Sequence, residues 1–273
     1  MCSSDLDLVT ANMSSNTVSV LLAMERDGPA LRRATSTASE AAVVAPGSLA
    51  TLYPWSVEWN GPSTGAGAAP PWPTILAGIS LEVRDSQGES RLAPLTFASS
   101  YRINFQVPDD TAPGQATLWV DGFELGTMWV EPMAPGLFMA CPVSDTPSAL
   151  GVLVEPDGSQ VPVPVFSDPS NPPCRSEPVP LSAAGARPLY VEFYGTGFRG
   201  ATVENVTCYI NGMQMPVVYA GPQSTTPGLD QINVRVLPDL LLKTEEGLVG
   251  PGPVTVTLRI GGIAANSAVV DLR

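Results

Sequence analysis

Apolar and polar positions alternate one by one in several runs of this chain, as in Gly78-Ile79-Ser80-Leu81-Glu82-Val83. A period of two sends successive side chains to opposite faces and predicts β-strands with one buried face. Val206, Cys208 and Ile210 follow the same rule, which points Cys208 into a core as a small hydrophobe. The turn pairs Asp121-Gly122, Asn211-Gly212 and Gly261-Gly262 separate such runs. Pro156-Asp157-Gly158-Ser159 is a further turn, since proline presets φ and glycine supplies the positive φ required. It joins Ala149 to Glu155 with Gln160 to Phe166. Pro162 and Pro164 make the second of these an edge strand, because proline donates nothing to a central ladder.

The runs fall into two segments with one internal order. The first passes through Leu49 to Tyr53, a Gly/Pro/Ala loop from Asn60 to Pro73, Gly78 to Val83, Tyr101 to Asp109, Gln115 to Val120 and Phe123 to Val130. The second repeats it through Pro188 to Tyr194, Asn205 to Ile210, Met215 to Tyr219, Gln231 to Asp239, Val254 to Ile260 and Ile263 to Leu272. Ile103-Asn104 and Ile232-Asn233 open the same I-N-x-x-V signature, and each segment closes on a hairpin. This is the pattern of a tandem duplication. At about 90 residues per unit, with turn signals roughly every 8 to 12, each unit predicts an immunoglobulin-like β-sandwich.

Composition agrees with that reading and narrows the function. The 273 residues include 29 Pro and 25 Gly, too many breakers for long helices, while the 44% hydrophobic content is too high for disorder. No histidine is present. That removes the usual general base of Ser-His-Asp and Cys-His chemistry and the commonest zinc ligand, so a non-enzyme without cofactor or metal is expected. Twelve Arg and the single Lys243 stand against 26 acidic residues, for a net charge of −13. A surface of that sign repels nucleic acid and anionic membranes. The longest apolar stretch, Val18 to Met24 with Ser19 near its start, is far short of the roughly 20 residues that span a bilayer, so no membrane insertion is expected.

Two motif matches are answered by their context. Gly61-Pro62-Ser63-Thr64-Gly65 has the spacing of a hydrolase nucleophile elbow, but lies in loop composition with no histidine to activate the serine. Gly195-Thr196-Gly197-Phe198-Arg199-Gly200 matches a dinucleotide-binding loop, which needs a helix next so that its first amides meet the pyrophosphate. The β-branched run from Ala201 to Ile210 predicts a strand there instead. Asp109-Asp110 and Glu245-Glu246 are neighbours that point apart on a strand, and Asp109 and Asp239 occupy equivalent turn positions of the two units. No D-x-D-x-D-G spacing supports a calcium loop. Cys141 and Cys174 flank the Pro156 hairpin and would pair in an oxidising compartment or stay as free thiols in a reducing one. Trp119 and Trp129, in the closing strands of the first unit, read as core or interface. Trp55, Trp59 and Trp72 cluster around the long loop and are the candidate ligand-contact aromatics.

Several ordered motifs carry a family resemblance. Ala45-Pro46-Gly47-Ser48, Arg102 to Pro108, Ala134 to Phe138, Tyr194 to Gly200, Val218 to Pro222 and Gly228 to Val234 together resemble the uncharacterised C-terminal domain family first described from Solibacter, whose units are of the IPT/TIG type. The likeness runs over Ala41 to Arg273. It implies a non-catalytic module at the C-terminal end of a secreted or surface-attached bacterial protein. Val83 to Gly88 departs from the family's apolar-G-G turn. Asp7 to Leu22 resembles the closing blade of an FG-GAP or VCBS propeller repeat, which implies an upstream propeller domain, and Met1 to Leu6 resembles a translated sequencing adapter.

The expected fold class is therefore all-β: two tandem immunoglobulin-like β-sandwiches with a β-hairpin fragment at the N-terminus. The expected division is adapter 1–6, blade remnant 7–24, linker 25–40, first sandwich 41–139, and inter-domain hairpin with second sandwich 140–273. The expected function is spacer or adhesion work in a secreted or cell-surface protein, toward an unidentified protein or cell-surface partner. The alternatives are a carbohydrate-binding module using Trp55, Trp59 and Trp72, and an accessory domain of an upstream enzyme.

Overall fold

The computed structural model describes residues 8–12, 17–21, 32–54, 64–66, 70–167, 174–181, 187–240, 242–244 and 247–273. The chain divides into Met1–Leu31 and Arg32–Arg273. In the first unit, Leu8–Asn12 pairs antiparallel with Thr17–Leu21, with Leu8 opposite Leu21.

The second unit is all-β and contains two sandwiches. In the first sandwich, one sheet runs Ser90–Leu92, Ile79–Arg84, Gly114–Val120, Phe123–Val130, and Arg32–Arg33 and Val43–Val44 extend it in parallel. The facing sheet runs Thr35–Ser36, Leu49–Leu52, Arg102–Gln106, Leu95–Ser99, Thr64–Gly65. Leu81, Leu118 and Met128 from one sheet meet Leu52, Ile103 and Phe105 from the other, all essentially without solvent contact. Burying one such side chain fully is worth about 1.5–3 kcal/mol.

In the second sandwich, Gln160–Pro164, Ala149–Val154, Leu189–Thr196, Asp230–Val236 and Val217–Pro222 form one sheet. Met213–Met215, Val206–Ile210 and Gly252–Ile260 form the other, and Ile263–Ala264 and Ala268–Leu272 both pair with Gly252–Ile260. Phe193, Cys208, Ile232 and Leu258 lie in the core between them. The strand with Pro162 and Pro164 is at the sheet edge. The three expected two-residue turns have positive φ at both positions, at Asp121-Gly122, Asn211-Gly212 and Gly261-Gly262, and Ala77-Gly78 forms a further one that was not expected. That is the mirror-image geometry whose twist suits a tight hairpin.

Three expectations need correction. The linker drawn over 25–40 is too long, because Arg32–Arg33 and Thr35–Ser36 are already strands of the first sandwich. The division at 139 falls too late: Gly136–Leu137 pairs with Leu189–Thr196, and Leu137 lies in the second core. Met215 to Tyr219 is not one strand. Met213–Met215 belongs to one sheet and Val217–Pro222 to the other, and the chain changes sheet at Pro216, which has no N–H for either ladder. Within Val83 to Gly88, where the family turn is missing, Asp85 organises a polar hairpin by accepting the Gln87 and Glu89 amides.

Candidate functional site

Of the three aromatics expected around the long loop, Trp72 is half-buried. Trp55 and Trp59 lie outside the described residues, as do Gly61 to Ser63 of the elbow-like motif and Glu245-Glu246. Of the two positions expected for Trp119 and Trp129, core or interface, the core is wrong. Ala116, Leu118 and Val120 point inward along Gly114–Val120, so Gln115, Thr117 and Trp119 point out. On the neighbouring strand Met128 and Val130 are inward, and Trp129 is 45% exposed on the outer face. The alternation was readable in the sequence, but the hydrophobic identity of tryptophan outweighed it.

The two sandwiches are joined by a short connection, 131–135, and by direct hydrogen bonds. The Leu49 N–H donates to Thr196 Oγ1 at 2.8 Å, and Thr196 in turn donates to the Gly228 carbonyl at 2.6 Å. Gly228 has no Cβ because one would fall 2.7 Å from Leu49 Cδ2. Within the second sandwich, Asn266 holds Leu137 from both sides, accepting its N–H at 2.8 Å and donating to its carbonyl at 3.0 Å. An apolar cleft of about 280 Å³ lined by Val43, Met133, Pro135 and Ile263 lies beside the connection.

The G-x-G-x-x-G match sits at this junction. It ends Leu189–Thr196, and the next regular element is the strand Val206–Ile210, so no helix presents amides to a phosphate. The Phe198 amide instead donates to Asp230 Oδ2 at 2.8 Å, and Arg199 Nη1 lies 3.5 Å from Asp230 Oδ1. Asp230 is completely buried. Burial pushes its pKa up to about 7, against the opposing pull of the Phe198 amide, the Arg199 charge and the Gly197 amide. Between pH 5 and 7 folded Asp230 therefore keeps a proton that the unfolded chain, at 3.8, has released. Stability is expected to fall by about 2 kcal/mol as pH rises across that window, because the folded state binds more protons there. Urea titrations at pH 5 and 7.5 of the wild type and Asp230→Asn test this: the variant loses the slope, and equal slopes in both refute it.

Other titratable groups serve local structure. Burial works to raise the Asp85 pKa, but the Ala112, Glu89 and Gln87 amides and Arg91, at 2.8 Å, outweigh it and hold the carboxyl below its usual value. Asp109 and Asp239 are exposed, the latter in the 3-10 turn Pro238–Leu240. Among the described residues no three Cys, Asp or Glu side chains converge as metal ligands. On the outer face of the second sandwich, Gln231 donates to Asn233, and Asn233 and Tyr194 both donate to Glu192. Burial, then the hydrogen bond to Glu192 and its charge, push the Tyr194 pKa up to about 12. Cys141 and Cys174 are joined in a disulfide with Cα atoms 5.5 Å apart. Cys208 is a buried free thiol whose pKa burial pushes up to about 12.

No protein-family model and no curated protein matches the chain. Among solved structures, a Bacteroides ovatus mixed-linkage glucan utilization locus protein, SGBP-B in complex with a mixed-linkage heptasaccharide, is 13% identical over 94% of this chain, with a TM-score of 0.33. This chain spans about half of that protein, 49% of its length. Domains 5-6 of the S-layer protein SbsC are 11% identical over 88% of this chain and 94% of theirs, with a TM-score of 0.25. The I9-I11 tandem of titin is 8% identical over 84% of this chain and 94% of its own, with a TM-score of 0.17. At these values the assignment of two sandwiches rests on the sheets themselves.

Proposed function

We propose that the chain is a non-catalytic structural and interaction module, a rigid spacer that carries a binding surface at the C-terminal end of a larger secreted or surface-attached bacterial protein. The observation that carries this reading is the junction. Five connecting residues, 131–135, leave little slack, the Leu49 amide of the first sandwich donates to Thr196 of the second, and the Ala134 amide of the connection donates to the Gly197 carbonyl. Flexible tandem domains have long polar linkers and sparse contacts between them. The Cys141–Cys174 disulfide suits an oxidising, extracytoplasmic setting. The resemblance to the Solibacter C-terminal family supports the same placement.

A spacer of this kind is expected to unfold as one unit. Calorimetry should give a single transition for the two sandwiches, with equal calorimetric and van't Hoff enthalpies. Two resolved transitions, one per sandwich, would overturn the rigid-spacer reading.

A further inference from the structure

We propose that the outer face of the first sandwich, around Trp119 and Trp129, is a binding platform for a neutral oligosaccharide. Three strands build it. Gln115, Thr117 and Trp119 project from Gly114–Val120, Thr127 and Trp129 from Phe123–Val130, and Glu82 and Arg84 from Ile79–Arg84, in register so that Thr117 is flanked by Arg84 and Thr127, and Trp119 by Glu82 and Glu124. Neither indole spends its N–H on the core. Trp119 donates to Thr117 Oγ1 at 3.0 Å and Trp129 to Glu131 Oε1 at 2.7 Å, each a residue two positions away in the chain. A bond to that position lays each ring along its strand, both leaning the same way because the strands are antiparallel. Trp129 stands opposite Gln115, four residues from Trp119, so the rings are offset by about 13 Å along the strand at roughly 3.3 Å per residue.

Two aromatic surfaces separated by polar side chains suit a ligand that repeats along its length. They suit a single contiguous apolar hot spot less well, since such an interface concentrates its aromatics at a desolvated centre. The apolar C–H face of a hexose stacks on an indole, and its hydroxyls need planar donors and acceptors beside the ring. Those are present: the Arg84 guanidinium covers one face of the Trp119 ring, 5.2 Å from its centre, and is steadied by Ser90 at 3.1 Å, so a sugar stacks on the open ring of Trp129 and meets Arg84, Gln115, Glu82 and Glu124 along the same face. The chain's charge of −13 works against an acidic polysaccharide and favours a neutral one. The proposal rests on the interaction-module reading above, but unfolding cooperativity and ligand titration fail independently of each other.

The test is calorimetric and tryptophan-fluorescence titration of the full chain with cellohexaose, mannohexaose and xylohexaose, with hexagalacturonate as the acidic comparison. At least one neutral hexasaccharide is expected to bind saturably. Trp119→Ala and Trp129→Ala should each weaken binding at least tenfold with melting temperatures unchanged, whereas Trp72→Ala leaves it within twofold. Absence of binding by all three at millimolar concentration overturns the proposal, as does preference for hexagalacturonate. Binding that survives both outer-face substitutions and is lost in Trp72→Ala moves the site to the long loop and overturns it too. So does a concentration-dependent dimer abolished by Trp129→Ala in a chain that ignores sugars, which would assign the face to a second copy.

Discussion

Alanine at position 197 is expected to destabilise the chain by at least about 3 kcal/mol, because two separate costs coincide there. Gly197 has φ of +86°, in the left-handed region where a Cβ costs an L-residue roughly 1–2 kcal/mol. A Cβ would also run into the Ala134 carbonyl, which is backbone and cannot swing aside. Ala134 is held in place, since its own N–H donates to the Gly197 carbonyl at 2.9 Å. Relieving the overlap means parting the connecting segment from the second sandwich. Gly158→Ala is the control. It shares the positive φ, +84°, but has nothing within 4 Å of the added carbon, so it should cost only about 1 kcal/mol. For a chain of this size the 197 substitution then lowers Tm by about 6–12 °C. Thermal melts of the two variants check this, and a Gly197→Ala chain no less stable than Gly158→Ala would falsify it.

Removing the Cys141–Cys174 disulfide is expected to cost the second sandwich about 3–4 kcal/mol. The bridge closes a loop with a sequence separation of 33, and the chain-entropy relation assigns a loop of that length roughly 3.7 kcal/mol of restraint on the unfolded state. The loop contains the whole hairpin of Ala149–Val154 and Gln160–Pro164, which is the edge of one sheet. Proline at 162 and 164 thins the ladder on that strand, so a covalent restraint matters more there than it would between central strands. Urea unfolding of Cys141→Ser/Cys174→Ser against the oxidised wild type reads the difference directly. Dithiothreitol should lower the wild-type midpoint toward that of the variant and leave the variant unmoved. A double variant within about 1 kcal/mol of wild type contradicts the expected restraint.

The period-two runs and the three glycine-containing turn pairs were legible because each depends on a few adjacent residues. Alternation places a side chain in or out, and Asn-Gly or Asp-Gly tolerates the positive φ a tight hairpin needs. The same local logic identified Cys208 as buried and rejected the nucleotide-loop match. For Trp119 it decides between the core and the interface that were both left open: Ala116, Leu118 and Val120 point inward, so Trp119 points out. Trp72 sits in a loop without periodicity, where no pattern reports exposure.

Strand content, turn positions and the edge character of the proline strand are written in residues close together in the chain. The junction is not. Leu49 and Thr196 meet across 147 positions, and inside the second sandwich Leu137 and Asn266 meet across 129. Asp230 reads in sequence as the polar start of a strand. In the fold it is completely buried, met by the Phe198 amide from 32 positions away, and burial is what moves its pKa. Backbone preference and alternation act over a few residues, whereas desolvation, close approach and ring placement depend on which distant segment packs against them.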